Sequence, residues 1–207
     1  MGFYKKMVNM CRKPEGFWGK MMLNGMNSGH AKAADWGIEN FPRIRPKRIL
    51  EIGCGGGRNA ARLLEVYPSA HLTGIDYAQA SVDKSLDYNK KQIGAGRCII
   101  QRGDVSDLEF DQETFSLITA FETVYFWPDL LHCFQEVYRV AEPEGYFAVI
   151  CETDGVDPRG LRYERMIEGM KVYTPEAIRN TMKQAGFSRT TIRRHESKPW
   201  ILVVGQK

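Results

Sequence analysis

The sequence predicts an α/β protein whose strands form one mostly parallel sheet with helices on both faces. Three observations predict it. After residue 47, apolar strand-like runs alternate with amphipathic helix-like segments; that alternation needs crossover helices and covers the sheet on both sides. The run ILEIGCGGG, residues 49–57, drives an apolar strand into a turn made almost entirely of glycine, and the helix-like segment RNAARLL follows at once. The final two strand-like runs are joined by a short link, which makes them antiparallel.

The elements follow in order. Residues 48–53 are the first strand, and residues 71–76 (HLTGID) are the second. A helix over 79–92 places Val82, Leu86 and Ile93 at helical spacing. Residues 98–101 are the third strand, leading to Gly103 and Asp104, and residues 115–121 (FSLITAF) are the fourth. The next helix takes Pro128 in its first turn and lines up Leu130, Phe134, Val137 and Val140 as one apolar stripe. Glu142-Pro143-Glu144-Gly145 breaks it, and residues 146–150 are the fifth strand. Thr174 as N-cap and Pro175 at the first helical position open another helix, which Gly186 closes. Residues 190–192 and 200–204 complete a seven-stranded sheet.

Two segments fall outside this rhythm. Residues 1–47 hold an apolar, helix-like stretch with Trp18, Met22, Met26, His30, Ala34 and Trp36, then a proline-broken linker over 41–46. They are expected to form a helical lid over a domain spanning 48–207. Residues 154–173, after the fifth strand, are the second addition. Such additions sit over the ligand edge of a sheet, where loops confer specificity.

Composition narrows the classes. A chain with 43% apolar and 26% charged residues is an ordinary globular protein. A net charge of +4 is mild, so its basic residues read as a solvated surface and a nucleic-acid partner is disfavoured. The five cysteines are odd in number and contain no C-x-x-C pair, which indicates neither a disulfide framework nor a zinc knuckle and suits a reducing cytoplasm. No apolar run is long enough to span a bilayer, and no secretory leader is expected.

The glycine turn is the chemical signal. A dinucleotide fingerprint counted from Gly53 meets Arg58 where its third glycine belongs, and no G-K-[ST] of a phosphate-gripping loop is present. The string E-x-G-x-G-x-G, with Glu51, Gly53, Gly55 and Gly57, resembles the first motif of class I S-adenosylmethionine-dependent methyltransferases. Asp76 ends the second strand, Asp104 follows the third, and Pro143-Glu144-Gly145 precedes the fifth, an order similar to that family's. The family's usual Pro-Gly-Gly is altered at Glu144, and Ser116 stands where the family often has an acid. The chain looks like the small-molecule methyltransferases of the ubiquinone-biosynthesis-like group. The resemblance implies a Rossmann-like fold, S-adenosyl-L-methionine as cofactor and S-adenosyl-L-homocysteine as product.

The resemblance also distributes roles. Bare N–H groups of the turn, including Cys54, would receive the cofactor's carboxylate, and Asp76 the ribose hydroxyls. Tyr77 would lie against the adenine, Asp104 would accept from its amino group, and the Val105 N–H would reach a ring nitrogen. Glu51 and Phe121 would border the methionine end. The bland alternatives are a turn aspartate at Asp76, a turn cap at Asp104 and an orienting acid at Glu51. Cys54 is not expected to act as a nucleophile, because displacement at a sulfonium needs no covalent intermediate. The stretch Phe121-Glu122-Thr123-Val124-Tyr125-Phe126-Trp127 follows the fourth strand and faces the acceptor. Glu122 is the candidate base or ammonium anchor, Tyr125 an aromatic wall, and His30 a base or a cover; the alternative for the rings, and the preferred one for Trp127, is simple packing. With no metal cluster visible, the expected chemistry is metal-independent. The acceptor is expected to be a small molecule, with a homodimer admitted. Competing readings are methylation of RNA or protein, a catalytically silent cofactor-binding module, and a nicotinamide-dependent oxidoreductase.

Overall fold

The computed structural model describes residues 30–207. Trp18, Met22 and Met26 of the expected lid lie outside them. Seven strands form one sheet in the order β3-β2-β1-β4-β5-β7-β6. They are β1 (Arg48–Ile52), β2 (His71–Asp76), β3 (Cys98–Arg102), β4 (Phe115–Phe121), β5 (Ala141–Cys151), β6 (Arg189–Arg194) and β7 (Ile201–Gln206). The first five run parallel, and β7 is antiparallel to both β5 and β6.

Side chains alternate across the sheet with the two-residue period of a strand. Leu50, Ile52, Ile118, Phe147, Val149 and Val203 enter one core. Helices α4 (Leu130–Val140) and α6 (Pro175–Ala185) cover it through Phe134, Val137, Ile178 and Met182. Ile49, Leu117, Ala148, Ile150 and Leu202 face the other way. There they meet α1 (Ala31–Glu39), α2 (Arg58–Val66) and α3 (Gln79–Gly94) through Ala34, Ile38, Ala60, Leu63 and Val82. Two covered faces explain why the central strands read as continuous apolar runs.

Helix α1 belongs to this second layer. Gly37 lets it sit directly on β5, since a Cβ there would come within 2.7 Å of Ile150. Trp36 packs against His195 and Trp200 at ring-centroid distances of 5.6 and 6.3 Å, tying α1 to the β6–β7 hairpin. On the other side, the Arg58 guanidinium pairs with Asp35 and reaches the Ala31 carbonyl.

Several boundaries differ from expectation for local reasons. Pro128 lies before α4 rather than in its first turn. Asp129 is the N-cap, its carboxylate accepting from the His132 N–H at 3.1 Å. The breaker 142–145 interrupts register without ending the strand. Phe115 pairs with Ala141, Leu117 pairs with Tyr146, and the intervening residues bulge, with Glu144 at φ 60°. Residues 154–173 contain a further helix, α5 (Pro158–Met166), capped by the Asp157 carboxylate on the Gly160 N–H. Gly160 is the one fully buried residue of α5, so no apolar stripe marks it in the sequence. Thr174 and Gly186 cap α6 as expected, the hydroxyl accepting from Ala177 and the glycine at φ 119°.

Phe134 is fully buried between Trp127 and Phe147, edge-on to both. Phe134→Ala should therefore destabilise the fold by about 3–5 kcal/mol, measured as a shift of the urea unfolding midpoint.

Candidate active site

The carboxyl ends of β1, β2 and β4 open onto one cavity of about 410 Å³. Its floor is the glycine turn. Gly53 has φ 74°, and a Cβ there would lie 2.3 Å from the Thr123 methyl, so both the backbone and the neighbour exclude a side chain. Gly57, at φ 82°, opens α2 beneath Ser85 and Asn89, and the Asn89 amide donates to its carbonyl at 2.9 Å.

The amides of this turn are not bare. Gly53 and Cys54 both donate to the Ile75 carbonyl, at 2.8 and 2.9 Å, and Gly57 donates to Cys54 at 2.9 Å. Gly55 donates to Asp76 Oδ2 at 3.0 Å. A sharp turn has to spend its donors on its own closure, which corrects the picture of free N–H groups awaiting a carboxylate. What the turn offers the cavity is the space that side chains would fill.

Asp76 holds the turn and faces the cavity as well. Its Oδ1 accepts from the Ala78 N–H at 2.9 Å while Oδ2 holds Gly55. Burial raises its pKa, and these bonds work against the rise. Tyr77, Asp104, Val105 and Phe121 also line the cavity. Asp104 caps its own turn, Oδ1 accepting from the Ser106 N–H and hydroxyl at 2.9 and 2.7 Å.

Glu51 and Gly57 do not line the cavity. Glu51 is fully buried in β1 on the α2–α3 side, and its Oε2 has no hydrogen-bond partner. Burial first, and then the charge of Asp76, push its carboxyl well above the usual carboxylate range. Cys54 does line the cavity, but burial pushes its thiol well above the normal thiol value, so it does not supply a thiolate.

On the opposite wall the structure gathers a polar cluster. Glu122, just past β4, adopts φ 58°, an uncommon conformation for a side-chain-bearing residue. Its Oε1 accepts from the Glu152 N–H, and its Oε2 accepts from the Tyr125 hydroxyl at 3.2 Å. Tyr125 is buried behind Glu122 and does not line the cavity. Burial, with Glu152 reinforcing it and His30 opposing it, pushes Glu122 up to about 7. His30 lines the cavity, with Nδ1 3.1 Å from Glu152 Oε2 and 3.9 Å from Glu122 Oε2. Burial lowers the His30 pKa, but the two carboxylates outweigh it and raise the value on balance. Glu152, which the sequence places after the fifth strand where it could face the pocket or cap the strand exit, joins this cluster. The available signal was its place one residue past β5, beside the strand that carries Glu122. Phe126 and Trp127 complete the wall, with Trp127 also stacked on Phe147 at 6.2 Å.

Residues 50–149 match the family profile described as a methyltransferase domain. The chain belongs to the class I S-adenosylmethionine-dependent methyltransferases. Sterol methyltransferase-like 2 of Botryococcus braunii is 32% identical over 151 residues, covering 72% of this chain and 39% of that protein. The chain thus spans about two fifths of that relative's length. Its fold is shared with the protein solved in complex with the Trm112 methyltransferase activator of Haloferax volcanii. That match has a TM-score of 0.79 at 17% identity, covering 89% of this chain and 93% of that one. It is shared also with "PigF with SAH", at a TM-score of 0.76 and 19% identity, covering 92% of this chain and 59% of that one. No helix among the described residues is long and apolar enough to cross a membrane.

The buried Glu51 gives a pH signature. Unfolded, it loses its proton near pH ~4.3; folded, it keeps the proton to much higher pH. Above the unfolded value the native state therefore binds the extra proton, and stability falls as pH rises. Asp76, Cys54 and Cys98 are the titratable groups facing it. Glu51→Gln should flatten this decline, seen as a smaller loss of urea midpoint between pH 5 and pH 8 than in the parent.

Proposed function

We propose that the chain transfers the methyl group of S-adenosyl-L-methionine to a small-molecule acceptor bound in the 410 Å³ cavity. The observation that supports this most is the position of Asp76. One carboxylate ends β2, holds the glycine turn closed, and still faces the space where a ribose would lie. Asp76 accepts the ribose hydroxyls. Tyr77 covers one face of the adenine, while Asp104 and the Val105 N–H read its edge. The methionine end runs past Gly53, Cys54 and Gly55 toward Phe121, and Glu51 and Gly57 act from behind the turn.

The cofactor supplies an activated methyl group when bound. The chain's own task is to place an acceptor atom in line behind that methyl, about 3–3.5 Å away, and to keep water out. Glu122 and His30 face the acceptor, Tyr125 fixes Glu122 through its hydroxyl, and Phe126 and Trp127 offer flat apolar contact. The likeness to a sterol methyltransferase-like protein supports a small apolar acceptor over a macromolecule. We extend the proposal to a reducing cytoplasm, since the four described cysteines are all free.

S-adenosylhomocysteine should raise the melting temperature, by the equivalent of about 2.7 kcal/mol at 100 times its dissociation constant, whereas NAD should not. A folded chain indifferent to S-adenosylhomocysteine would end this proposal. Once an acceptor is found by product release, Glu122→Gln should lower kcat by roughly 10²-fold with cofactor affinity little changed, checked by coupled turnover and calorimetry.

A further inference from the structure

We infer that His30, Glu122 and Glu152 form a binding site for a divalent metal ion at the acceptor end of the cavity. What the ion would do there rests on the methyltransferase proposal; the site itself stands on geometry. Its ligands come from three elements: the start of α1, the end of β4 and the end of β5. One ligand-capable atom from each lies within 4.8 Å of the others. His30 Nδ1 is buried and makes no hydrogen bond, although a Glu152 oxygen is only 3.1 Å away. Among the described residues, His30 is the one basic group paired with either carboxylate. Arg159 acts on His30 from farther off.

The spacing separates an ion from a cationic acceptor. Bonds of about 2.1 Å to a zinc-sized ion set neighbouring ligand atoms about 3.0–3.4 Å apart, from octahedral to tetrahedral angles. An ammonium held by hydrogen bonds of about 2.8 Å sets its acceptors about 4.6 Å apart. Of the two separations from Nδ1, 3.1 Å lies within the first range and 3.9 Å lies between the two, and both are shorter than the second arrangement requires. Glu122 is also held as ligating carboxylates are, by further hydrogen bonds: from the Tyr125 hydroxyl and from the backbone N–H of Glu152.

One imidazole and two carboxylates favour Mn²⁺, Fe²⁺ or Zn²⁺ over Ca²⁺, which wants six to eight oxygens. Three protein ligands leave positions open for water and for an acceptor oxygen. The acceptor class that follows is an alcohol, phenol or enol. Coordination acidifies its hydroxyl, whose proton passes to water. The oxygen then forms a bond to the methyl carbon as the carbon–sulfur bond breaks, and that electron pair leaves the sulfur as a neutral thioether. The proposal departs from the metal-independent expectation of the sequence.

The test titrates the chelator-stripped full chain with Mn²⁺, followed by electron paramagnetic resonance, and with Zn²⁺, followed by calorimetry. S-adenosylhomocysteine binding is measured on the same protein. One ion per chain is expected, with affinity reduced at least roughly tenfold in Glu152→Gln and in His30→Ala, the loss that even an outer partner of a metal ligand causes. Glu152→Gln should keep the parent's circular dichroism and its S-adenosylhomocysteine affinity. Folded protein that takes up neither ion, or binds both as well in the two variants as in the parent, overturns the site. Metal binding without S-adenosylhomocysteine binding would sink the methyltransferase proposal and leave the site standing.

Discussion

The cavity depends on one carboxylate. Asp76 takes the Gly55 N–H on one oxygen and the Ala78 N–H on the other, so a single side chain joins the β1–α2 turn to the β2–α3 turn. Hydrogen bonds to a charged acceptor are shorter and stronger than neutral ones. The parallel ladder ends with the strands, so their exit loops need bonds of their own to be fixed relative to each other. Ile75 adds to the effect, its carbonyl receiving both Gly53 and Cys54. The shape of the floor is thus set by the last two residues of β2.

This explains why glycine is required where it stands. Once the Gly53 and Cys54 amides are committed to Ile75, the chain must double back at positive φ against Thr123. A side chain at residue 53 would push on Thr123 and displace β4's exit, and with it Glu122, which lies between Phe121, the last residue of β4, and Thr123. Floor and wall are therefore packed against each other.

Most of the sheet was legible because each buried strand is a run of apolar residues bounded by turn chemistry, and because Thr174 starts and Gly186 stops a helix by local bonds. Features set by distant partners were not. Helix α5 buries only Gly160 completely and so shows no stripe. The breaker at 142–145 stays inside β5 because Phe115 on the neighbouring strand pairs across it. At the site, Asp76 could be found by its place after an apolar strand. That its carboxylate would occupy the turn's own donors could not, since the bond spans 21 residues. Glu152 and His30 join Glu122 only through the adjacency of β4 to β5 and the docking of α1 on Ile150. No local pattern encodes either contact.

The Arg58 guanidinium has a wider consequence. It is the first residue of the helix that leaves the glycine turn, and it clasps Asp35 and the Ala31 carbonyl one residue beyond His30. Arg62, one turn along the same helix, reaches the other Asp35 oxygen at 3.4 Å, so two cations of α2 tie the helix leaving the floor to the helix that begins at the far wall.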